Sequence, residues 1–386
     1  MNEIIIIGGS NYNELGLVRS FGENGIKPCG IIIGNRRDIK RASVYYSKYW
    51  KRIDIVSNED DALVVLRSHY SGICEKPIII TTNDHIMQVF DSFYEILKND
   101  FILSSFNQIS NGINQYADKE KQAAFAKEIG FHMLETQVLD LQIDSKVESP
   151  FVFPVFLKPV KGGEGSKYDI SVAFCNSDFI HIVEKLRLKN YRRILVQPYL
   201  INRKEYLITG AVSPRNSLVS FSVLQGIRQW PTTYGISSFS RLVTEKRIVE
   251  YASGLLKAVC FAGYDGPIDV ELFETDDGKI YVNEFNWRSS GRNWVALYNG
   301  VYSTVWWAIN HAGIDVSSKK LINNINGYAM YEFDDIRHCF HHNIQVKDWL
   351  VDYMHTGAFS ARFFRDPVPV LIETLSFIKR VIKKKV

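Results

Sequence analysis

Two short β-rich runs, 266–273 and 279–284, are separated by Asp276-Asp277-Gly278. An Asp-Gly pair between such runs specifies an antiparallel hairpin, because the glycine takes the left-handed backbone that a tight turn needs. Strand alternation then fixes which side chains share a face. It puts Asp269 and Glu271 on one face of the first strand. On the second strand it groups Glu284 with Asn286, and Arg288 follows two residues on. Two carboxylates and an amide oxygen directed into one space form a hard-oxygen set suited to Mg²⁺ (or Mn²⁺). Mg²⁺ binds through one or two carboxylates and is completed by substrate phosphates. A solvated sheet face is the simpler explanation. Against it, Glu284-Phe-Asn286-Trp-Arg288 gathers demanding groups where alternation alone needs none.

The N-terminal part of the chain has a different texture. Ile4-Ile5-Ile6-Ile7, Ile31-Ile32-Ile33 and Ile78-Ile79-Ile80 are continuous apolar runs, and 15–24 carries helical spacing. Strands that are apolar on both faces belong to a parallel sheet covered by helices on both sides, a Rossmann-like α/β unit. From Asp118 onward the expected helices are 118–130, 179–189 and 245–261. Between them lie strands at 153–158, 169–173, 193–198, 206–212 and 218–225. Strands that come in hairpins make this region α+β. With 386 residues, several units are expected. The boundaries read as 1–112, 113–202, 203–315 and a helical C-terminal extension, 316–386.

Two further stretches carry chemistry. A strand delivers Lys158, and Lys161-Gly162-Gly163-Glu164-Gly165-Ser166 follows at once. Glycines let backbone N–H groups approach phosphate oxygens, and the lysine supplies fixed positive charge. The spacing is not that of a Walker A loop. The run Gln197-Pro198-Tyr199-Leu200 ends a strand at a proline, which frees backbone groups to read an adenine edge. Glu205 is placed to accept ribose hydroxyls.

The order of these pieces resembles the ATP-grasp superfamily over roughly residues 1–315. That resemblance implies an N-terminal Rossmann-like domain, then a two-lobed ATP-grasp fold. Lys119 and Lys158 resemble the lysines that touch ATP phosphates. Gly162, Gly163, Gly165 and Ser166 resemble the loop that closes over them. Gln197, Tyr199 and Leu200 resemble the adenine hinge, and Glu205 the ribose contact. Glu271, Glu284 and Asn286 resemble the Mg²⁺ ligands, and Arg288 the arginine beside an acyl phosphate. The family's Asn-Pro-Arg is Asn286-Trp287-Arg288 here, and its usual hinge glutamate is Gln197. More narrowly, Gly226-Ile-Arg228-Gln-Trp-Pro231, Ser289-Ser-Gly291-Arg292 and Asp366-Pro367-Val-Pro369 resemble the branch of D-aspartate ligases and cell-surface-polymer carboxylate–amine ligases. The implied activity is ATP-dependent joining of a carboxylate to an amine through an acyl phosphate, with catalytic roles for Arg288 and Lys158. Arg228, Arg241 and Arg292 are candidates for anchoring acidic substrates. The non-enzyme alternative is an ATP-binding module of a surface-polymer assembly system.

Other classes fit less well. The loop Gly8-Gly9-Ser10-Asn11 lacks the G-x-G-x-x-G spacing, and Ile33 is followed by Gly34-Asn35-Arg36 rather than an acid, so a dinucleotide site is not expected. The net charge of +4 is too small to argue for nucleic acid. Five dispersed cysteines argue against a disulfide framework and for a reducing, cytoplasmic setting. His338-Cys339-Phe-His341-His342 has ligand-like spacing but no second cluster. Finally, Leu371, Leu375, Ile378 and Ile382 share a helical face that ends in Lys379-Arg380 and Lys383-Lys384-Lys385. A basic amphipathic helix of this kind at 370–386 is suited to the inner membrane surface, or to packing on the body with a solvated tail.

Overall fold

The computed structural model describes residues 2–142, 148–160, 169–232 and 235–383. The chain forms two compact units. The first comprises Met1–Gln115, Tyr206–Val270 and Phe285–Val386; the second comprises Tyr116–Glu205 and Glu271–Glu284.

The first unit opens with strands β1 (Ile4–Gly8), β2 (Cys29–Ile33), β3 (Arg52–Val56) and β4 (Ile78–Thr81). They form a sheet in the order β3-β2-β1-β4 with all three pairings parallel. This is the sheet expected from the isoleucine runs. Alternation sends Ile4 and Ile6 toward Leu15, Val18 and Phe21 of the helix Tyr12–Glu23. It sends Ile5 and Ile7 toward Ala62, Leu66 and Phe90 on the other side. Each isoleucine so buried contributes about 2 kcal/mol. A two-residue strand, β5 (Ser105–Phe106), follows.

The second unit holds β6 (Gln137–Asp140), β7 (Val155–Pro159), β8 (Ser171–Ala173) and β9 (Arg193–Pro198), in the antiparallel order β6-β9-β7-β8. One face is covered by the helix Asn176–Leu188, whose Phe179, Val183 and Leu186 pack on Val155, Leu157, Ile194 and Val196. The period of two leaves Phe156, Lys158, Leu195 and Gln197 to the opposite face, with Phe156 directly across from Gln197. The helix Lys119–Glu128 is N-capped by Asp118, whose side chain accepts from the Lys121 N–H at 2.9 Å. It stops at Gly130, which takes φ +84°, the left-handed conformation that glycine adopts without strain.

The remaining strands are β10 (Lys204–Ser213), β11 (Leu218–Trp230), β12 (Ile236–Leu242), β13 (Tyr264–Glu274), β14 (Ile280–Asn286), β15 (Gly327–Met330) and β16 (Thr356–Phe359). They lie in the order β14-β13-β10-β11-β12-β15-β16, with β5 paired to β13. Strands β13 and β14 run on into the second unit, so the tip of their hairpin, 271–284, belongs to it. The turn forms as Asp-Gly specifies: the Gly278 N–H donates to the Thr275 carbonyl at 2.9 Å, and Gly278 sits at φ +79°. The C-terminal segment is helical as expected, but β15 and β16 also add two strands to the large sheet. Among the described residues no helix is long and apolar enough to cross a membrane.

Candidate active site

A cavity of roughly 620 Å³, counting its open mouth, lies in the second unit. The solvent-side face of β7 and β9 supplies Phe156, Lys158 and Gln197 to its wall, and Pro198, Tyr199 and Leu200 continue it where β9 ends. The hairpin tip supplies Glu271, Phe273, Asn283 and Glu284. Lys119 enters from the first position of its helix. The hairpin is fixed to the segment after that helix by backbone bonds: Val282 N–H to the His132 carbonyl at 2.8 Å, and Leu134 N–H to the Val282 carbonyl at 3.3 Å.

The charges in this cavity are organised in a chain. The Lys119 ammonium donates to Asn283 Oδ1 at 3.5 Å, and Asn283 Nδ2 donates to Glu271 Oε2 at 3.0 Å. Burial lowers the Lys119 pKa; the nearby Glu284 raises it, Lys158 lowers it further and Glu271 raises it. Two lysines and two glutamates thus line one partly enclosed space, where weak solvent screening strengthens each interaction. Glu271 and Glu284 are hard oxygen donors. Among the described residues no group of three or more His, Cys, Asp or Glu could hold a metal by itself. That donor set fits Mg²⁺, which takes few protein ligands and shares the rest with phosphate and water.

The cavity includes residues that sequence reasoning missed. Arg203 lies over the Phe273 ring at 4.5 Å and the Tyr199 ring at 5.1 Å, and donates to the Leu200 carbonyl at 3.2 Å. Leu134, Ile170 and Phe156 add apolar wall. Asn283 lines the cavity beside Glu284 although strand alternation directs adjacent side chains to opposite faces. The segment expected as an adenine hinge is partly satisfied from within: Gln197 Nε2 donates to Thr136 Oγ1 at 2.7 Å, and the Tyr199 N–H to the Pro154 carbonyl at 2.9 Å. Glu205 lies at the second position of β10 and is not among the residues lining the cavity. Gly162, Gly163, Gly165 and Ser166 lie outside the described residues.

The other candidates lie in the first unit. Asn286 ends β14. Arg288 donates to Asp269 at 3.1 Å and pairs with Asp84 at 3.3 Å. Arg228 sits at a β-bulge opposite Phe239, over whose ring its guanidinium lies at 4.4 Å. It is held by Asp335 at 2.7 Å and Asp352 at 2.5 Å. Arg241 is shared between Gln225 at 2.7 Å and Glu245 at 2.5 Å. Arg292 is buried beneath Tyr331, and its Nε has no hydrogen-bond partner among the described residues. His338 and His341 pack on the Trp230 ring at 5.1 and 4.8 Å. The glycine loop after β1 spends its N–H groups on Glu14: Gly9 at 2.9 Å and Asn11 at 3.2 Å, with the Thr82 hydroxyl beside them.

No family model matches the chain, and no curated protein matches it. Solved structures do. One is N5-carboxyaminoimidazole synthetase from Staphylococcus aureus complexed with ADP, at 14% identity and TM-score 0.65, covering 89% of this chain and 86% of that one. A second is the biotin carboxylase domain of the Hydrogenobacter thermophilus 2-oxoglutarate carboxylase, in complex with MgADP, ADP and bicarbonate. It matches at 16% identity and TM-score 0.61, over 85% of this chain and 73% of that one. A third is the biotin carboxylase–β,γ-ATP complex from Campylobacter jejuni, at 15% identity and TM-score 0.61, over 85% and 74%. At such identities the likeness speaks for the fold: this chain folds as the ATP-grasp enzymes do, with a Rossmann-like N-terminal sheet preceding the grasp.

Proposed function

We propose that this chain binds Mg-ATP in the second-unit cavity and uses it to activate a carboxylate for attack by an amine. The observation that carries the reading is the convergence of Lys119, Lys158, Glu271 and Glu284 on one cavity with an aromatic, backbone-edged end at Tyr199 and Leu200. The lysines neutralise phosphate oxygens, and the two glutamates are proposed to hold the metal, which offsets the charge that spreads over the transferring phosphoryl group. ADP- and ATP-bound solved structures of the same fold support the choice of nucleotide. Asn286 and Arg288, at two-residue steps after Glu284, are proposed as a third metal ligand and the acyl-phosphate contact. Glu205 is proposed for the ribose and the 162–166 loop for the phosphates.

In this reaction a carboxylate oxygen attacks the γ-phosphorus, ADP leaves, and the acyl phosphate forms. The amine then attacks the carbonyl carbon, phosphate leaves, and the nitrogen loses its proton. The finer reading is an amino-acid or polymer carboxylate–amine ligase of the D-aspartate ligase branch. It works in the cytoplasm, with the basic helix 370–386 touching the inner membrane surface. Arg228, Arg241 and Arg292 stand as its acid-anchoring candidates.

The test is an array of carboxylates and amines scored by ADP release, with mass spectrometry of the product. Glu284→Ala is expected to lower turnover at least about a hundredfold, the usual scale for losing a transition-state charge contact. ATP binding without ADP release across the array would favour the non-catalytic module instead. Full turnover in Glu284→Ala would remove the metal assignment.

A further inference from the structure

We infer that the helix Pro367–Ile382 docks on an anionic lipid bilayer through its solvent-side apolar face, an inference that rests on the membrane contact proposed above and specifies its surface and partner. The helix has two apolar faces. One packs inward: Phe377 is buried, with its ring 5.4 Å from Phe333 and 6.2 Å from Phe340. The other meets water. Leu371 is 59% exposed, Leu375 55%, Ile378 47% and Ile382 75%. Val368 and, just before the helix, Phe364 are exposed as well. At 3.6 residues per turn, the five helical positions fall within an arc of roughly 80°, well round from Phe377. Packing of the helix is already served by the Phe377 face, so a second stripe of this length, exposed among the described residues, marks an interaction surface.

Charge names the partner. Glu373 is the one acidic residue between 367 and 386 in the sequence, and it pairs with Arg380 at 3.1 Å. Lys379 and Lys383 are exposed along one border of the stripe, and Lys384 and Lys385 follow in the sequence. Leucine and isoleucine side chains can enter the headgroup–acyl boundary while lysine stems carry their ammonium groups to lipid phosphates. A second copy of this chain fits less well, because it would bring two lysine-bordered faces together. The helix Val346–His355 offers an internal comparison. It exposes Val346, Leu350 and Met354, but Asp348 and Asp352 accompany its Lys347, so its stripe lacks the positive border.

The test is flotation of the full chain with vesicles of phosphatidylcholine, alone or mixed with phosphatidylglycerol, alongside sedimentation without lipid. Binding is expected to the mixed vesicles, to weaken with salt, and to be absent on the neutral ones. Lys379→Glu with Lys383→Glu should lower it about 25-fold or more, at roughly fivefold per basic residue. Leu375→Ser with Ile382→Ser should lower it at least about tenfold, while Leu350→Ser with Met354→Ser should leave it unchanged. Absence of flotation, equal flotation on neutral vesicles, or a self-association that the stripe variants abolish without any lipid binding would each overturn the inference. ADP release measured on the same proteins separates the two readings. Flotation without ADP release in any condition would fell the ligase and leave the docking surface standing. ADP release without flotation would do the reverse.

Discussion

Asn283 joins Lys119 to Glu271, so it sets the spacing between a cation and an anion of the cavity, proposed above to face phosphate and metal. Its truncation leaves a glutamate oxygen without its amide donor. Asn283→Ala is expected to weaken Mg-ADP binding by about 1–2 kcal/mol, roughly five- to thirtyfold, as titration calorimetry would read it. An unchanged affinity would mean the bond only braces the hairpin. Asp91 makes a different kind of case. Burial raises its pKa to about 6, and the amides of Asn114 and Ile113 that donate to it lower the value only in part. Its folded value exceeds its unfolded one, so the protonated form is favoured in the fold. The associated stability is complete below about pH 4 and is lost as pH rises through about 6, amounting to roughly 2–3 kcal/mol. Asp91→Asn keeps the acceptor oxygen and has no charge to gain. Denaturant titrations from acid to neutral pH should show the wild type losing stability that the variant retains.

The helix Asn176–Leu188 holds the cavity wall from behind. Phe179 is fully buried against the β7 and β9 face opposite the cavity. Phe179→Ala should cost about 3–5 kcal/mol of stability, measured by chemical denaturation, and disturb nucleotide binding only through the sheet. At this scale the sequence was informative where a pattern has one physical cause. Ile4–Ile7 is buried on both faces, so its continuous run could mean little else. The alternation at Glu271 and Glu284, with an Asp-Gly turn between, placed both carboxylates at the cavity. Alternation does not account for Asn283, which lines the cavity beside Glu284 although the two are adjacent. Arg203 was unreadable because Phe273, seventy residues on, is brought to it only by the fold. Strands β15 and β16 span four residues each, and β16 is defined by its parallel pairing to β15 rather than by any pattern of its own. Arg228 and Arg241 read in sequence as candidates for anchoring acids; that acids distant along the chain or four residues on would pair with them was not readable there.

Across the molecule, the first unit is closed by a buried charge pair between its two ends. Arg19 is fully buried and donates to Asp366 Oδ2 at 3.0 Å, to the Asp366 carbonyl and to the Ala361 carbonyl. Asp366 also accepts from the Ser47 hydroxyl at 2.7 Å and the Lys48 N–H at 3.1 Å. Removing one partner strands the other charge away from water, so Asp366→Ala should destabilise the first unit by about 3–5 kcal/mol. A loss under about 1 kcal/mol in equilibrium unfolding would show that water reaches Arg19. The second unit is drawn from two separate stretches of chain, 116–205 and 271–284, between stretches of the first. Such threading has a genetic consequence. A segment confined to the second unit cannot carry the whole cavity to another protein, because its lysines and its glutamates are encoded in separate blocks with 206–270 of the first unit between them. A ribosome making this chain releases the glutamate-bearing hairpin only after most of the lysine-bearing sheet has already emerged. The cavity therefore gains its acidic wall late in synthesis, and a truncated product that stops before residue 271 would carry Lys119 and Lys158 without their counter-charges.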